Sequence, residues 1–235
     1  LTLIGENKHA TIIDGSGYGP IVFVEASPVN FISFTVRNAG WAKWLGIAIY
    51  LESAGLCKIS DNIVKNSRYG IALPSPSSII CNNVISGAEL GIANFETNYS
   101  ANNKIVGNRI SNSSTGIYLN YPWNNQITGN TISNMTGEVR YGIHFEMGGL
   151  KNAVVENTVQ GYCDYGIAIR YADENYVAGN TLIDNFYGIE LSQSSCDNNV
   201  TQNKVLGNGV GISLFDNSNN NLITLNDFSD SVPIN

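Results

Sequence analysis

The stretch 124–134 reads NNQITGNTISN, and variants of this phrase recur along the chain. They occur at 102–112 (NNKIVGNRISN), 151–161 (KNAVVENTVQG), 174–184 (ENYVAGNTLID) and 198–207 (NNVTQNKVLG). Each variant sets a few aliphatic residues among asparagine, glycine, threonine and serine. A phrase this polar that still repeats predicts an architecture of stacked copies of one unit.

Two markers give the length of the unit. A Gly-Ile pair starts at eight positions between Gly46 and Gly211, at spacings of 21 to 26 residues. An asparagine within the opening phrase keeps a similar spacing, at Asn62, Asn83, Asn108, Asn130, Asn157, Asn180, Asn203 and Asn226. The residues ISFTVRN at 32–38 suggest one earlier copy. We therefore expect about 8–10 coils of roughly 23 residues.

Large apolar residues alternate within each unit, as in GIAIYLE, GIYLNYP and GIHFEMG. This is strand periodicity, and no stretch sustains a helical period. Short strands, polar corners and this repeat length predict an all-β fold, one parallel β-solenoid domain spanning 1–235. The leucine frame of a leucine-rich repeat is absent, and a propeller blade needs about twice the period. Because the chain opens within a predicted strand, LTLIG, we expect a piece of a longer protein.

The composition limits the partners. The chain has 19 acidic and 12 basic residues, a net charge of -7, which disfavours a nucleic acid. No apolar run approaches the roughly 20 residues needed to cross a bilayer, so we expect no membrane insertion. Hydrophobic residues make up 43% and are regularly placed, which argues against disorder. Asn-x-Ser/Thr sites at Asn98, Asn112, Asn134 and Asn199 suggest a secreted, glycosylated surface.

The 33 asparagines have a structural explanation. Successive coils of a solenoid stack at about 4.8 Å, so equivalent residues lie above one another. Because an amide both donates and accepts, the eight marker asparagines should form an internal hydrogen-bonded ladder. Phe34 should hold the slot below Asn62, and outer asparagines at Asn66, Asn112 and Asn134 should partly repeat the device. The alternative is that asparagine only marks turns.

The segment LTLIGENKHATIIDG at 1–15, followed by repeats of GNTISN and GI, resembles right-handed parallel β-helix proteins built from PbH1-type repeats. More narrowly it resembles the NosD-like and CASH (carbohydrate-binding and sugar hydrolase) group. The resemblance implies a right-handed β-helix whose GI strands line a substrate groove. It leaves the activity open, because the group includes hydrolases, lyases, epimerases, surface-layer-associated proteins and an accessory factor for copper-enzyme assembly.

Alternation along the GI strands separates an inner from an outer face. The inward set is Ile117, Leu119, Ile143, Phe145, Ile167, Ile169, Ile189 and Leu191. The outward set is Tyr118, Asn120, His144, Glu146, Ala168, Arg170, Glu190 and Ser192, and the flanking turns add Tyr121, Trp123, Tyr171, Asp173 and Glu174. Stacking should bring His144 beside Tyr118 and Glu146 beside Arg170.

Four outward residues are catalytic candidates: His144, Glu146, Arg170 and Glu190. A lyase or epimerase needs a base and a cation for the uronate carboxylate, and a hydrolase needs two carboxylates at a defined separation. The simpler alternative is a surface ion pair between Glu146 and Arg170. The candidates for substrate binding are Tyr118, Asn120, Tyr121, Trp123, Tyr171 and Asp173, and the exposed aromatic strip extends to Tyr50, Phe95 and Phe215.

Several enzyme signatures are missing. The NTD, DD and GHG segments of polygalacturonases, the DPH tripeptide of alginate epimerases and GGxGxD calcium repeats do not occur. Two histidines, two methionines and no CxxC pair predict no metal and no cofactor. We therefore favour an extracellular or cell-surface module that binds polysaccharide, or neighbouring cell-surface proteins, without catalysis. The alternatives are a polysaccharide lyase, hydrolase or epimerase, and a purely structural solenoid.

The cysteines leave one question open. Cys57 and Cys81 each follow a Gly-Ile glycine by eleven residues, which would stack them and allow a disulfide. Counted from the asparagine marker, the same two cysteines are out of register. Cys163 and Cys196 have different offsets and are expected to be free and buried.

Overall fold

The computed structural model describes residues 1–17, 19–41, 46–52, 54–95, 100–229 and 231, and Asn98 lies outside them. The described chain winds into coils of three short strands, and every paired strand runs parallel to its partner in the next coil. The all-β parallel solenoid predicted from the repeat is confirmed. No helix in the described ranges has the length and apolar character to cross a membrane.

The first strands of the coils form one ten-stranded sheet. They are β1 (Thr2–Ile4), β4 (Asn30–Ile32), β7 (Lys58–Ser60), β9 (Ile79–Cys81), β12 (Lys104–Val106), β16 (Gln126–Thr128), β19 (Ala153–Val155), β22 (Tyr176–Ala178), β25 (Asn199–Thr201) and β28 (Leu222–Thr224).

The second and third strands form one sixteen-stranded sheet. The second strands are β2 (Ile12–Asp14), β5 (Thr35–Gly40), β13 (Arg109–Ser111), β17 (Thr131–Ser133), β20 (Thr158–Gln160), β23 (Thr181–Ile183) and β26 (Lys204–Leu206). The third strands are β3 (Val22–Val24), β6 (Ile47–Leu51), β14 (Thr115–Asn120), β18 (Tyr141–Glu146), β21 (Tyr165–Arg170), β24 (Tyr187–Ser192) and β27 (Val210–Leu214). The long strands β8 (Ile63–Ala72) and β10 (Val84–Asn94) pass through both positions and join the two sets. A further pair is β11 (Ser100–Ala101) with β15 (Pro122–Trp123).

The core is a stack of aliphatic side chains from all three strands of each coil. Ile117, Ile143, Ile167 and Ile189 lie in register on successive third strands and are fully buried. The other four residues expected to face inward are equally buried, which confirms the assigned register. Burying one such side chain stabilises the fold by about 1.5–3 kcal/mol relative to exposure. Adding coils therefore adds stability nearly in proportion.

The predicted asparagine ladder is confirmed from Asn62 to Asn226. At Asn130 the amide nitrogen donates to Asn157 Oδ1 and to the carbonyl of Ile105, both at 2.9 Å. Its Oδ1 accepts from the backbone N and Nδ2 of Asn108, again at 2.9 Å. The pattern repeats along the whole column, and below it the backbone N of Phe34 donates to Asn62 at 2.9 Å.

A second ladder runs at the corner before the first strands. It consists of Asn103, Asn125, Asn152, Asn175, Asn198 and Asn221, each five residues before a member of the first ladder. A shorter third column pairs Asn185 with Asn208. The constant offset of five was present in the sequence as a signal for the second ladder.

The outer asparagines serve mainly as corner residues. Asn66, Asn112 and Asn134 have φ between 52° and 54°, the left-handed region that asparagine tolerates better than most residues. Asn66 Nδ2 donates to Asn38 Oδ1 at 3.4 Å in an exposed position, whereas Asn112 and Asn134 are joined through the backbone, N to O at 3.1 Å. The ladder therefore depends on burial, which protects the amide bonds from water.

The four cysteines are free. The backbone of Cys57 lies against Ser78 of the next coil, whereas Cys81 is in register with Ser60. The two thiols thus occupy different columns, as the asparagine marker indicated, and the Gly-Ile count misaligned them because loop lengths differ. Cys163 is buried as expected, but Cys196 is only partly buried because it lies at a corner.

Candidate functional site

Four third strands, β14, β18, β21 and β24, present most of the outward residues named above. Tyr118, His144, Ala168 and Glu190 lie in register on successive coils and form the outer column. A neighbouring column holds Asn120 beside Glu146 and Arg170 beside Ser192. The predicted juxtaposition of His144 with Tyr118 is present, with ring centroids 5.4 Å apart.

A column of tyrosines that alternation did not predict borders this face. Tyr141, Tyr165 and Tyr187 stack with centroid separations of 4.9 and 5.2 Å and nearly parallel rings. We call these three residues the tyrosine column. Each ring is half-buried, and both faces of Tyr165 are covered by its neighbours. The faces of Tyr165 are therefore not available for stacking by another ring, and only its hydroxyl group and ring edge are left open.

The glycine of the YGI motif explains why the column was missed. A Cβ on Gly142 would lie 2.4 Å from both the Gly166 carbonyl oxygen and a methyl group of Val159, which is in the core. Gly142 and Ile143 therefore both face inward, and the side-chain alternation is reset at this corner. Counting back from Ile143 would put Tyr141 inside, whereas its ring lies outside. YGI occurs at 69, 141, 165 and 187, and its last three copies, on successive coils, were the available signal.

His144 is packed against the aromatic rings of Tyr118 and Tyr141. Its ring stacks on Tyr141 at 4.3 Å and 12°, and it is only 5% exposed. Nε2 has no hydrogen-bond partner among the residues that the structure describes. Burial, followed by the positive charge of Arg170, lowers the pKa of His144 to about 3. The imidazole is therefore neutral near pH 7 and offers an uncharged polar edge.

The cation of this face is already neutralised. Arg170 donates from Nε and Nη2 to the two oxygens of Glu190, at 2.9 and 3.2 Å. Glu190 is 0% exposed and also accepts from Ser192 Oγ at 2.5 Å. The guanidinium also donates to Tyr141 Oη at 3.2 Å and lies over the Tyr165 ring at 5.0 Å. Burial opposes the charge, but the hydrogen bonds and charge of Glu190 outweigh it and raise the pKa of Arg170.

The expected pair of Glu146 with Arg170 does not form. Tyr118 Oη donates to Glu146 Oε2 at 2.8 Å, whereas Arg170 turns to Glu190 one coil further on. Burial, and then this hydrogen bond, raise the pKa of Tyr118. The phenol therefore remains protonated at neutral pH and is held in place by the carboxylate.

The turn residues divide into two groups. Tyr121 and Tyr171 directly follow third strands in left-handed conformations and flank the face. Trp123 and Asp173 belong instead to a separate ladder through Leu150. Asp173 Oδ1 accepts from the backbone N of Cys196 at 2.7 Å, which is a structural role. The expectation that these aromatic and acidic residues share one face is thus met by Tyr121 and Tyr171, but not by Trp123 and Asp173.

Other predicted turn and strip residues lie elsewhere. Glu174 pairs with Lys151 at 3.5 Å. Tyr50 continues the outward positions of the third strands toward the N-terminus, in register with Ala72, and Phe95 stacks on Tyr69 at 4.5 Å. Phe215 follows β27 and is exposed. Within the described ranges, no group of three or more His, Cys, Asp or Glu side chains could hold a metal ion.

Comparison with known proteins identifies a family and a shared fold. The family described as "Right handed beta helix region" matches residues 19–121 and 45–228. No curated protein is similar enough in sequence to match. Among solved structures, the Dettilon tailspike protein (gp208) gives a TM-score of 0.73 at 18% identity, over 88% of this chain and 47% of that one.

Two further structures illustrate the range of relatives. DFA-IIIase from Arthrobacter chlorophenolicus A6, in complex with GF2, gives a TM-score of 0.62 at 15% identity, over 85% of this chain and 58% of that one. PfbA, a surface adhesin of Streptococcus pneumoniae, gives 0.51 at 13% identity, over 99% and 78%. The chain thus spans about half the length of the first two structures. At these identities the likeness concerns the fold alone.

Proposed function

The chain belongs to the right-handed β-helix family, and on that premise we propose that it binds a polysaccharide without catalysis. The binding surface is the outer face of β14, β18, β21 and β24 together with the tyrosine column. We call this surface the GI face. Its groups are phenol hydroxyls, a neutral imidazole, the amide of Asn120 and the half-buried carboxylate of Glu146. Such groups suit the many hydroxyls of a sugar chain.

One observation carries the choice of binding over catalysis: the bidentate pair of Arg170 with the fully buried Glu190. A hydrolase needs a second carboxylate that reaches substrate or water. Glu190 cannot, because it is covered and both its oxygens accept from a guanidinium. A lyase or epimerase needs a cation for the uronate carboxylate, and Glu190 already neutralises that cation. Neither reaction has its full set of groups on the GI face.

The same pairing indicates the class of glycan. Arg170 and Glu190 cancel, and Glu146 leaves the GI face with one net negative charge. An anionic polysaccharide would be repelled by the Glu146 carboxylate and would find no unpaired cation on the GI face. A neutral polysaccharide would experience no such repulsion. The rings of the tyrosine column repeat at centroid separations of 4.9 and 5.2 Å, and each ring carries one hydroxyl. Regular spacing of this kind suits a polymer that runs along the helix axis.

Proteins that share the fold support the proposal in general terms. The solved structures that share the fold include a tailspike protein, a periplasmic alginate epimerase and a surface adhesin. Structural polysaccharides are found outside the cytoplasm, as are neighbouring surface proteins that could bind to the GI face. The proposal therefore implies an extracellular or cell-surface location. Membership of the NosD-like and CASH group remains a prediction.

A glycan array with neutral and acidic polysaccharides tests this proposal. One purified sample is also tested for reducing-sugar release and for unsaturated uronate. We expect binding to neutral glycans without either product. Tyr165→Phe removes one hydroxyl of the column and should weaken binding about threefold or more, because a hydrogen bond contributes about 0.5–1.5 kcal/mol. The matched control Tyr176→Phe, on the ten-stranded sheet, should bind as wild type. Turnover of any glycan contradicts the proposal. Wild-type binding by the Tyr165→Phe variant contradicts it as well.

A second candidate is a sugar-active enzyme centred on Tyr118, His144 and Glu146. It is favoured by one observation, the buried Nε2 of His144, which has no partner in the described part of the chain, since unpaired polar atoms in such sites often meet a ligand. Turnover that is abolished by Glu146→Gln and by His144→Ala would establish this alternative. A purely structural solenoid would show neither binding nor turnover.

A further inference from the structure

A cavity of about 310 Å³ opens beside the tyrosine column. Its lining includes Arg140, Asp164 and Phe186, each of which immediately precedes a tyrosine of that column. Tyr162 and the buried Cys163 complete one wall. Burial raises the pKa of the Cys163 thiol to about 12, so it adds no charge.

Two aromatic rings from successive coils border the cavity. Tyr162 is 71% exposed and Phe186 is 59% exposed. Phe186 meets Tyr187 nearly perpendicularly, at 82° and 4.8 Å, so this contact covers at most one face of the Phe186 ring. Unlike Tyr165, these rings have faces available for stacking. Exposed aromatic faces around a cavity are a feature of ligand sites.

Glycines on the next coil keep the cavity open. A Cβ on Gly207 would lie only 2.5 Å from Asp184 Oδ1, which is closer than van der Waals contact allows. A Cβ on Gly209 would lie 3.6 Å from the Phe186 ring. Any larger residue at these positions would fill the space or displace the carboxylate.

The charges of the cavity leave one carboxylate available. Arg140 donates to both oxygens of Asp164, at 3.1 and 3.0 Å, and this bonding lowers the pKa of Asp164. Asp184 is exposed and takes part in none of the ion pairs between described residues. The cavity thus combines apolar ring faces with a single anionic acceptor.

We propose that this cavity binds one neutral sugar ring, a branch of the glycan that lies along the tyrosine column. Tyr162 and Phe186 contact the apolar C–H face of the ring, and Asp184 accepts hydrogen bonds from adjacent hydroxyls. A uronate is excluded, because its carboxylate would face Asp184. The identity of the longer glycan rests on the proposed function above, whereas binding of a single ring rests on the cavity itself.

The test uses single sugars as probes. Backbone amide shifts of the protein are followed by NMR during titration with D-glucose, D-galactose, D-mannose and D-fructose, and with D-glucuronate as the charged match to glucose. We expect saturable shifts at Gly207, Gly209 and Phe186 with at least one neutral sugar, and none with glucuronate. Phe186→Ala removes the ring that contacts the C–H face of the sugar, and Asp184→Asn removes the charged acceptor, so each should weaken binding about tenfold, which is about 1.4 kcal/mol. Tyr176→Ala should leave it unchanged.

The outcomes separate this inference from the proposed function. No saturable shift with any neutral sugar, equal binding of glucuronate, or unchanged binding in both cavity variants overturns the sugar site. Because both substituted side chains are exposed, the variants should fold, and their thermal melts check this. Polysaccharide binding that responds to Tyr165→Phe but not to Phe186→Ala overturns the cavity and leaves the GI face standing. Single-sugar binding in the cavity, with no polysaccharide on the GI face, overturns the proposed function and leaves the sugar site standing.

Discussion

The internal asparagine ladder and the outer column of Tyr118, His144, Ala168 and Glu190 both take one residue from each coil. Inside, the residue type is the same in eight successive coils, and each amide bonds the next with nearly constant geometry. Outside, every member differs, and each makes its own contacts. Both columns lie on the same backbone, so the fold does not require the outer variety.

This difference separates structural from functional positions. A ladder is satisfied by its own repeats, and it contributes most when no member deviates. The outer column instead contains buried and charged groups in arrangements that each occur in one coil, such as the neutral His144 and the buried Glu190. Such exceptions to the repeat are the reason why we propose the coils from Tyr118 to Ser192 as the ligand-binding part of the helix.

The largest expected effect follows from interrupting the ladder. Asn130→Leu leaves the backbone N of Asn108 without an acceptor and removes the amide hydrogen bonds to Asn108, Ile105 and Asn157. The stranded buried N–H costs about 1–3 kcal/mol and each lost hydrogen bond about 0.5–1.5 kcal/mol, so unfolding free energy should fall by about 2–6 kcal/mol. Chemical denaturation measures this free energy of unfolding.

Asn130→Asp adds a pH dependence to the same test. The new carboxylate would face the Ile105 carbonyl and Asn157 Oδ1, which are both acceptors, so its pKa in the folded state is raised. The folded state then binds more protons, and stability should fall as pH rises above about 4. A variant as stable as wild type at neutral pH would contradict the structural role of the ladder.

The next largest effect lies in the outer ion pair. Glu190→Gln leaves the Arg170 cation partly buried without its counter-charge, at a cost of about 3 kcal/mol. The freed cation should also let the GI face accept acidic glycans that the wild type rejects. Asp164→Asn is the control, because the Arg140–Asp164 pair is more exposed and should contribute about 1 kcal/mol or less. Equal losses in the two variants would contradict the distinction drawn here.

His144 should give the protein a pH-dependent stability. Its pKa is about 3 when folded, against an ordinary value of 6.5. Between these values the unfolded chain binds a proton that the folded chain does not, so stability falls as pH falls. The slope should reach at most about 1.4 kcal/mol per pH unit. His144→Gln should lose this contribution, and His9→Gln, with an exposed side chain, should keep it. Denaturation midpoints from pH 7 to pH 4 provide the measurement.

The smallest effect belongs to the exposed corner asparagines. Asn134→Gly keeps a residue that tolerates a φ of 54° and removes no buried hydrogen bond. Its unfolding free energy should differ from wild type by less than about 0.5 kcal/mol. A loss comparable with that of Asn130→Leu would show that burial is not what distinguishes the ladder.

The fold and the inner ladder were predictable because both repeat. Alternation and two markers of one period suffice for a solenoid, and the second ladder keeps a constant offset of five residues from the first. The outer face was predictable only for residues between Ile143 and Glu146 and their equivalents, because Gly142 resets the alternation before them. The partner of Arg170 was not predictable, because Glu146 and Glu190 each lie one coil away and only side-chain packing chooses between them.

The GI face is proposed to bind a neutral polysaccharide. Amide chemical-shift mapping with a neutral oligosaccharide selected from the array tests it most directly. We expect saturable shifts confined to β14, β18, β21, β24 and the corners beside them, with Tyr165→Phe weakening the interaction. Shifts confined to the ten-stranded sheet, or no saturable shift with any neutral oligosaccharide, would contradict the account.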